Sequence, residues 1–473
     1  MHTRALTRLS LLLSIKASGL GISLVRQLLA IGIICASALF IPGASCVILG
    51  LAAVWAFLSV RNAFYALVLV GFIRAENHMY VGAKFIFIIA WVVFVIASLR
   101  VIVTVTPRYW RHPIFTRLWL FALAVFLLTL NSSSSIEISI NKLIVFLLGT
   151  SAILLSSRRL NNDKEFLASG GSQQLLLLIF LSLTLLSLPA LFLPGLGYAT
   201  NGKGFQGITS QPQLFGLILA PMVSWAIGVW IEMLGERGAE SWLERLRWPA
   251  MIGLALFMLI KSNSRTAVFA IVLAILCCTL AGFFVRKSWR DSLAAVLSRR
   301  HLPVTCALIL GFALAITPGR LVSFSESFIL KSGKASNIEE AYRGSRGRLI
   351  ETSWDDFLGN PWFGSGFGVP SAIEDLQIVR EPFLGLPISA ATEKGNAFVA
   401  LLGETGLVGA VLFGLLLWAM TKRVVYTASL SSAMLFFTAL FVNAGEAVLF
   451  SLGGAGLIIW FYMSISLFNE KVA

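Results

Sequence analysis

Runs of about 20 predominantly apolar residues recur along nearly the whole chain, and each is long enough to cross the hydrocarbon core of a bilayer. On that template the spans fall near 26–43, 45–60, 81–102, 116–131, 139–156, 174–194, 212–235, 248–261, 265–285, 302–318, 396–420, 428–445 and 447–468. The stretch 62–73, between Arg61 and Arg74, reads either as a thin span or as the continuation of its neighbour. This pattern predicts an all-α polytopic membrane protein with about 12–14 transmembrane helices. Composition agrees: only 12% of the 473 residues are charged, against about 25% in a soluble globular protein, which excludes a water-exposed surface around one core.

The formal charge is +15. In a soluble protein this would suggest a nucleic-acid partner. Here Arg108, Arg111, Arg158, Arg159, Lys164, the run VRKSWR, Arg299, Arg300, Lys422 and Arg423 all fall on one side when the spans alternate. The positive-inside rule makes that side cytoplasmic. The whole excess is then cytoplasmic and the outer face is neutral, so no nucleic acid is needed to explain the charge. Both termini are expected in the cytoplasm, with the basic start MHTRALTRLS read as a leader rather than a cleaved signal. The five cysteines all sit in apolar runs, where a thiol acts as a small hydrophobe, and neither a disulfide framework nor a Cys-based metal site follows.

One large hydrophilic segment, Gly319 to Lys394, is expected on the outer face. It divides the chain into a transmembrane helical region (1–318), a large periplasmic loop with short helices (319–395) and C-terminal transmembrane helices (396–473). A loop this long on a membrane scaffold is usually functional. Ser336 with Glu339 reads as a capping box, and the helix it opens would run to Leu358, stopped by Gly359 with Pro361 beyond.

Three polar segments converge on that face. Lys261-Ser-Asn-Ser-Arg265-Thr-Ala is a short break between two apolar runs, which puts Arg265 at the membrane boundary. It reads either as an interfacial arginine snorkelling to headgroups or as a planar fork for a diphosphate. Arg343-Gly-Ser-Arg346-Gly-Arg348 places Arg343 and Arg346 on one helix face at i, i+3; a solvated charged face would look the same. Asn201-Gly-Lys203-Gly-Phe-Gln206-Gly-Ile-Thr-Ser-Gln211-Pro-Gln213 suits sugar or phosphate oxygens, and equally an ordinary turn. Gly364-Ser-Gly366-Phe-Gly368 lacks the strand-helix context of a phosphate loop and reads as packing. Of the histidines only His78 faces out, which excludes a His-rich zinc site there.

In this order the segments resemble the O-antigen ligase and O-antigen polymerase superfamily of bacterial envelope glycan enzymes. The resemblance rests on GFQGITSQPQLFG before a span, SNSRTAVFA opening a helix, Arg346 followed by Trp354 and NPWFGSGFG, and KGNAFVALLGETGLVG leading into the next span. It covers roughly residues 195–420. It implies an inner-membrane, metal-independent inverting glycosyltransferase with no cofactor, moving oligosaccharide from an undecaprenyl-diphosphate-linked glycan to a polysaccharide or lipid acceptor at the periplasmic face. Membrane lipids are its other partners. The family's two arginines correspond to Arg265 and Arg346, with Arg348 as the alternate. Arg348, Arg343, Lys203, Gln213, Asn396 and Glu404 are candidate substrate-binding residues.

One departure bears on the reaction. Ligases of the family usually carry His-Asn where this chain has Gly395-Asn396. An attacking sugar hydroxyl benefits from a general base, and Glu393 is the nearest candidate, with Glu404 and His78 behind it; a helix N-terminal acid would equally explain Glu393. The loss of the histidine favours a polymerase of repeat units over a ligase joining polysaccharide to a lipid acceptor. A flippase or other transporter is the competing class, but such proteins show midplane charges and repeated halves that this sequence lacks.

Overall fold

The computed structural model describes residues 20–41, 43–76, 83–198, 202, 204–235, 242–296, 347–369, 378–380, 387–390, 395–452 and 454–468. Its main helices are α1 (Leu20–Phe40), α2 (Ala44–Leu58), α3 (Val60–Ala75), α4 (Ala83–Thr104), α5 (Pro113–Ser132), α6 (Ile136–Leu160), α7 (Gly171–Ser187) and α8 (Pro212–Gly235). They continue with α9 (Trp242–Lys261), α10 (Arg265–Phe284), α11 (Lys287–Val296), α12 (Arg348–Gly359), α13 (Ala397–Thr427), α14 (Leu430–Phe441) and α15 (Ala455–Phe468). Among the described residues seven helices, α4 to α8, α10 and α13, are long and apolar enough to span a bilayer, and α1, α2, α14 and α15 are shorter apolar helices. The protein is an all-α, multi-pass membrane protein.

The ambiguous stretch 62–73 is a helix of its own, α3. Ser59 ends α2 in extended backbone and accepts the Asn62 N–H at 3.1 Å, so one side chain closes one helix and opens the next. The expected span 302–318 and the capping box at Ser336 lie outside the described residues. The end of the loop helix falls where Gly359 and Pro361 place it, at Gly359.

The centre of the bundle is α8, α14 and α15. α14 and α15 are buried almost throughout, and so are most residues of α8. Close approach is bought by small residues: a Cβ on Gly228 of α8 would lie 2.5 Å from the Ser431 Cα of α14. At the edge, Phe85, Val103 and Phe284 are more than two thirds exposed, as lipid-facing side chains are.

A ring cluster fills the space between α5, α6, α13 and α15. Phe121 and Phe413 lie 5.1 Å apart, Phe413 and Phe450 4.9 Å, and Phe146 and Trp460 5.8 Å, in tilted and edge geometries that favour aromatic pairs. Phe367 enters this cluster from the outer loop, 5.4 Å from Phe450, and is 1% exposed. Within that loop one feature differs from the expected short helices. Ile378–Arg380 and Pro387–Ala390 form a two-stranded antiparallel pair, with Ile378 opposite Ala390 and Val379 opposite Ser389. Strands of three and four residues are too short for an alternating pattern to show.

Candidate functional site

Arg265 is the first residue of α10, and the turn that delivers it is built from its neighbours. α9 ends at Lys261, and the Ser262 hydroxyl donates back to the Leu259 carbonyl at 2.6 Å. Asn263 adopts φ 56°, the left-handed conformation that asparagine tolerates best among non-glycine residues. Ser262 and Ser264 are both buried. Two glycines let the 204–213 loop close on this turn. A Cβ on Gly204 would lie 3.1 Å from the Ser262 carbonyl, and one on Gly216 of α8 would overlap the Ser264 side chain. The Phe205 N–H donates to the Lys261 carbonyl at 2.9 Å, which fixes the loop to the end of α9.

A second turn, Asn443 to Glu446 between α14 and α15, meets the first. Gly445 lies so close to Thr266 that any Cβ would overlap its side chain. One residue earlier, the Ala444 carbonyl accepts from Asn396 Nδ2 at 2.8 Å. Asn396 Oδ1 in turn accepts from the Phe398 and Val399 N–H groups at 2.9 and 3.2 Å, capping α13. Gly395 before it is buried at φ 63°, a conformation a side chain enters only with strain. The Ala444–Gly445 turn therefore joins Asn396 to the residue that follows Arg265.

The third segment, NPWFGSGFG, is docked on a break in α13. Gly406 leaves helical geometry at φ 59°, ψ −166°. The freed groups are taken up by the loop: Leu407 N–H donates to the Pro361 carbonyl at 2.8 Å, while the Gly403 and Glu404 carbonyls accept from Ser365 and Gly366 at 2.9 and 3.0 Å. Irregular backbone at membrane depth is tolerated where protein satisfies it in this way. Gly364, Gly366 and Gly368 all have positive φ and press on Glu404, Ser133 and Lys142. Their role is close packing. Glu404, 4% exposed, accepts from the Gly368 N–H at 2.7 Å and pairs with Lys142 Nζ at 3.5 Å, and that ammonium also sits 5.1 Å from the Phe367 ring.

Residues 250–414 match the family described as O-antigen ligase. Over that segment the chain is similar to proteins of the O-antigen ligase type. No curated protein matches the chain. The O-antigen ligase segment contains the Arg265 turn, α12, the NPWFGSGFG loop, Asn396 and the broken start of α13. The GFQGITSQPQ loop before it and the turn bearing Glu446 after it pack on the segment from outside its limits.

The sequence-predicted residues divide by place. Arg265 and Asn396 are brought to one turn. Gln213, exposed, sits one helical turn before Gly216 on the face of α8 that meets Ser264. Arg348 opens α12 and is exposed. Glu404 is buried and engaged by Lys142 and Gly368. Arg343, Arg346, Glu393, Lys203 and His78 lie outside the described residues. The sequence reading did not single out Glu446, the half-buried acid beside Gly445. Its signal was available: Asn443-Ala-Gly-Glu446 is a short polar break between apolar runs, of the same kind as Lys261–Arg265. Among the described residues no group of three His, Cys, Asp or Glu could hold a metal ion.

Proposed function

We propose that the protein is a membrane glycosyltransferase that transfers or polymerises oligosaccharide from an undecaprenyl-diphosphate carrier at the periplasmic face of the bacterial inner membrane. The observation that carries this reading is the seating of Arg265, at a boundary turn gripped by the 204–213 loop and the Ala444–Gly445 turn, inside a segment of O-antigen ligase type. A guanidinium there offers the two-pronged donor set that a diphosphate accepts. In the reaction the acceptor hydroxyl attacks the anomeric carbon, the bond to the diphosphate oxygen breaks with inversion, and the hydroxyl proton passes to a carboxylate. Arg265 and Arg346 neutralise the charge growing on the leaving diphosphate; loss of one such donor typically costs about 10²–10³ in rate.

The histidine of the ligases is glycine here, so a carboxylate takes the proton. Glu393 and Glu446 are the candidates, and Glu446 is the one whose turn abuts Thr266. Concentration of the +15 on the cytoplasmic side supports cytoplasmic termini and an outer-facing site.

The test is complementation of a deletion strain. Arg265→Ala and Arg346→Ala should each abolish long-chain polysaccharide while the protein still reaches the membrane, and a normal ladder from either variant overturns the reading. The deletion strain itself separates the two reactions. Short-chain product marks a polymerase, and lipid-linked polymer that never reaches its acceptor marks a ligase.

A further inference from the structure

A cavity of about 340 Å³ lies between α1, α2, α3 and α7, away from the Arg265 turn. It is within the range of small-molecule sites, roughly 300–1,000 Å³. α3 lines it from Tyr65 to Glu76, a run of roughly 16 Å at the helical rise. The walls are aliphatic and aromatic, and Ile34 and Trp55 retain more than a third of their surface although they line it. Among the described residues no lysine or arginine lines it, and the charged residue among its described walls is Glu76.

Glu76 closes the outer end. It follows the last residue of α3, where its backbone bridges Thr209 of the 204–213 loop, and Ser210 N–H donates to the Ala75 carbonyl at 2.9 Å. The Thr209 hydroxyl is occupied by the Gln206 and Gln211 carbonyls. The Glu76 side chain is 5% exposed; the Cys35 thiol of α1 is hydrogen-bonded to its carboxyl, and Oε2 is buried with no partner of its own. A buried carboxyl oxygen without a protein partner, at the end of an apolar groove, is placed to meet a polar atom of a bound molecule. Burial raises this carboxyl to about 8, so at neutral pH it is a protonated donor.

The group that suits this end is therefore an uncharged acceptor at the end of a long apolar chain. A diphosphate would find no cation among the described walls. The ester carbonyl of a membrane lipid has the right chemistry, and it sits at the depth where a helix leaves the hydrocarbon. We propose that this groove binds one acyl chain of an ester-linked membrane lipid, with the ester carbonyl against Glu76. The site does not depend on the glycosyltransferase reading. Its occupant would steady the loop whose other end, at Phe205, is bonded to Lys261 beside the Arg265 turn.

The test uses the full-length protein in detergent, with retained lipid counted by native mass spectrometry. Palmitoyl-oleoyl phosphatidylethanolamine should be retained at one molecule per chain, and its diether analogue, which lacks the carbonyl, about five-fold less, the equivalent of one hydrogen bond. Glu76→Gln should bind as the native protein does and Glu76→Leu about five-fold less. Ser182→Phe, which fills the groove at a hydroxyl with no partner, should abolish retention. Equal retention of ester and ether lipid by the native protein overturns the proposal even if the leucine variant does not fold. So does undiminished binding by Ser182→Phe, or displacement of the phospholipid by equimolar undecaprenyl phosphate, which would give the groove to the carrier.

Discussion

Gly445 lies directly against Thr266, so close that a single added methyl group would overlap the threonine side chain. Because Thr266 follows Arg265, and the neighbouring Ala444 carbonyl is held by Asn396, this contact couples the start of α10 to the start of α13 through one short turn. A turn of this kind can set the position of a catalytic arginine without touching the substrate, and errors of about 1 Å in such positioning cost of order 10²-fold in rate.

Gly445→Ala should therefore lower polysaccharide synthesis by at least tenfold while leaving the amount of protein in the membrane unchanged. The backbone at residue 445, φ −123°, accepts alanine without strain, so the effect is steric. Thr266→Ala removes the two nearest atoms, and the double variant should recover part of the lost activity. Activity equal to the native protein in Gly445→Ala alone would show that the contact does not position Arg265.

Glu446→Gln tests the proton acceptor. The two side chains have nearly the same shape, so the turn keeps its packing while the carboxylate is lost. General-base catalysis typically contributes about 10²–10⁴ in rate, and a loss of that size in single-turnover transfer from a polyprenyl-diphosphate donor is expected. A variant within about threefold of the native rate would move the role to Glu393.

Glu404 and Lys142 hold the outer loop to the bundle, and this pair is expected to act on stability. Removing one member of a buried ion pair leaves the other charge stranded and costs about 3–5 kcal/mol, less here because Lys142 is a quarter exposed. Glu404→Gln should thus destabilise by about 2 kcal/mol, read as a fall of several degrees in detergent thermal unfolding. Lys142→Met combined with Glu404→Gln should recover much of that loss, since no charge remains stranded. An unchanged transition in Glu404→Gln would show that the backbone bonds at Gly403 to Gly366 suffice without the pair.

Much of the helical frame is legible in the sequence because each element is an apolar run closed by a local signal. The span expected at 212–235 is the helix Pro212–Gly235, opened by a proline that needs no N–H partner there. Arg265 was also legible, since a five-residue polar break between apolar runs has few places to go. The break in α13 was not. LLGETGLVG continues an apolar run, and the groups that satisfy its freed backbone come from Pro361, Ser365 and Gly366, some forty residues earlier. Glu404 shows the same limit: as a lone acid near an outer segment it reads as a ligand for substrate, whereas its carboxylate is engaged by a lysine from α6. Glu76 carries no sequence signal of its own, because its burial depends on α1, α7 and the 204–213 loop closing around it.

That burial makes Glu76 the source of a pH dependence. Its folded value of about 8 lies above the ordinary carboxyl value of 4.5, so between these limits the native state holds a proton that the unfolded chain has lost. Stability is undiminished below pH 4.5, falls as pH rises through this window, and levels off above about 8, where both states are ionised. The loss is of order a few kcal/mol. Glu76→Gln has nothing to titrate, so its thermal transition should lack this component, and the native protein should lose several degrees relative to it between pH 5 and pH 8.5, values chosen to bracket roughly the window. Parallel curves for the two proteins would show that Glu76 is ionised in the folded protein at neutral pH, and that the carboxyl has found a partner on the outer face.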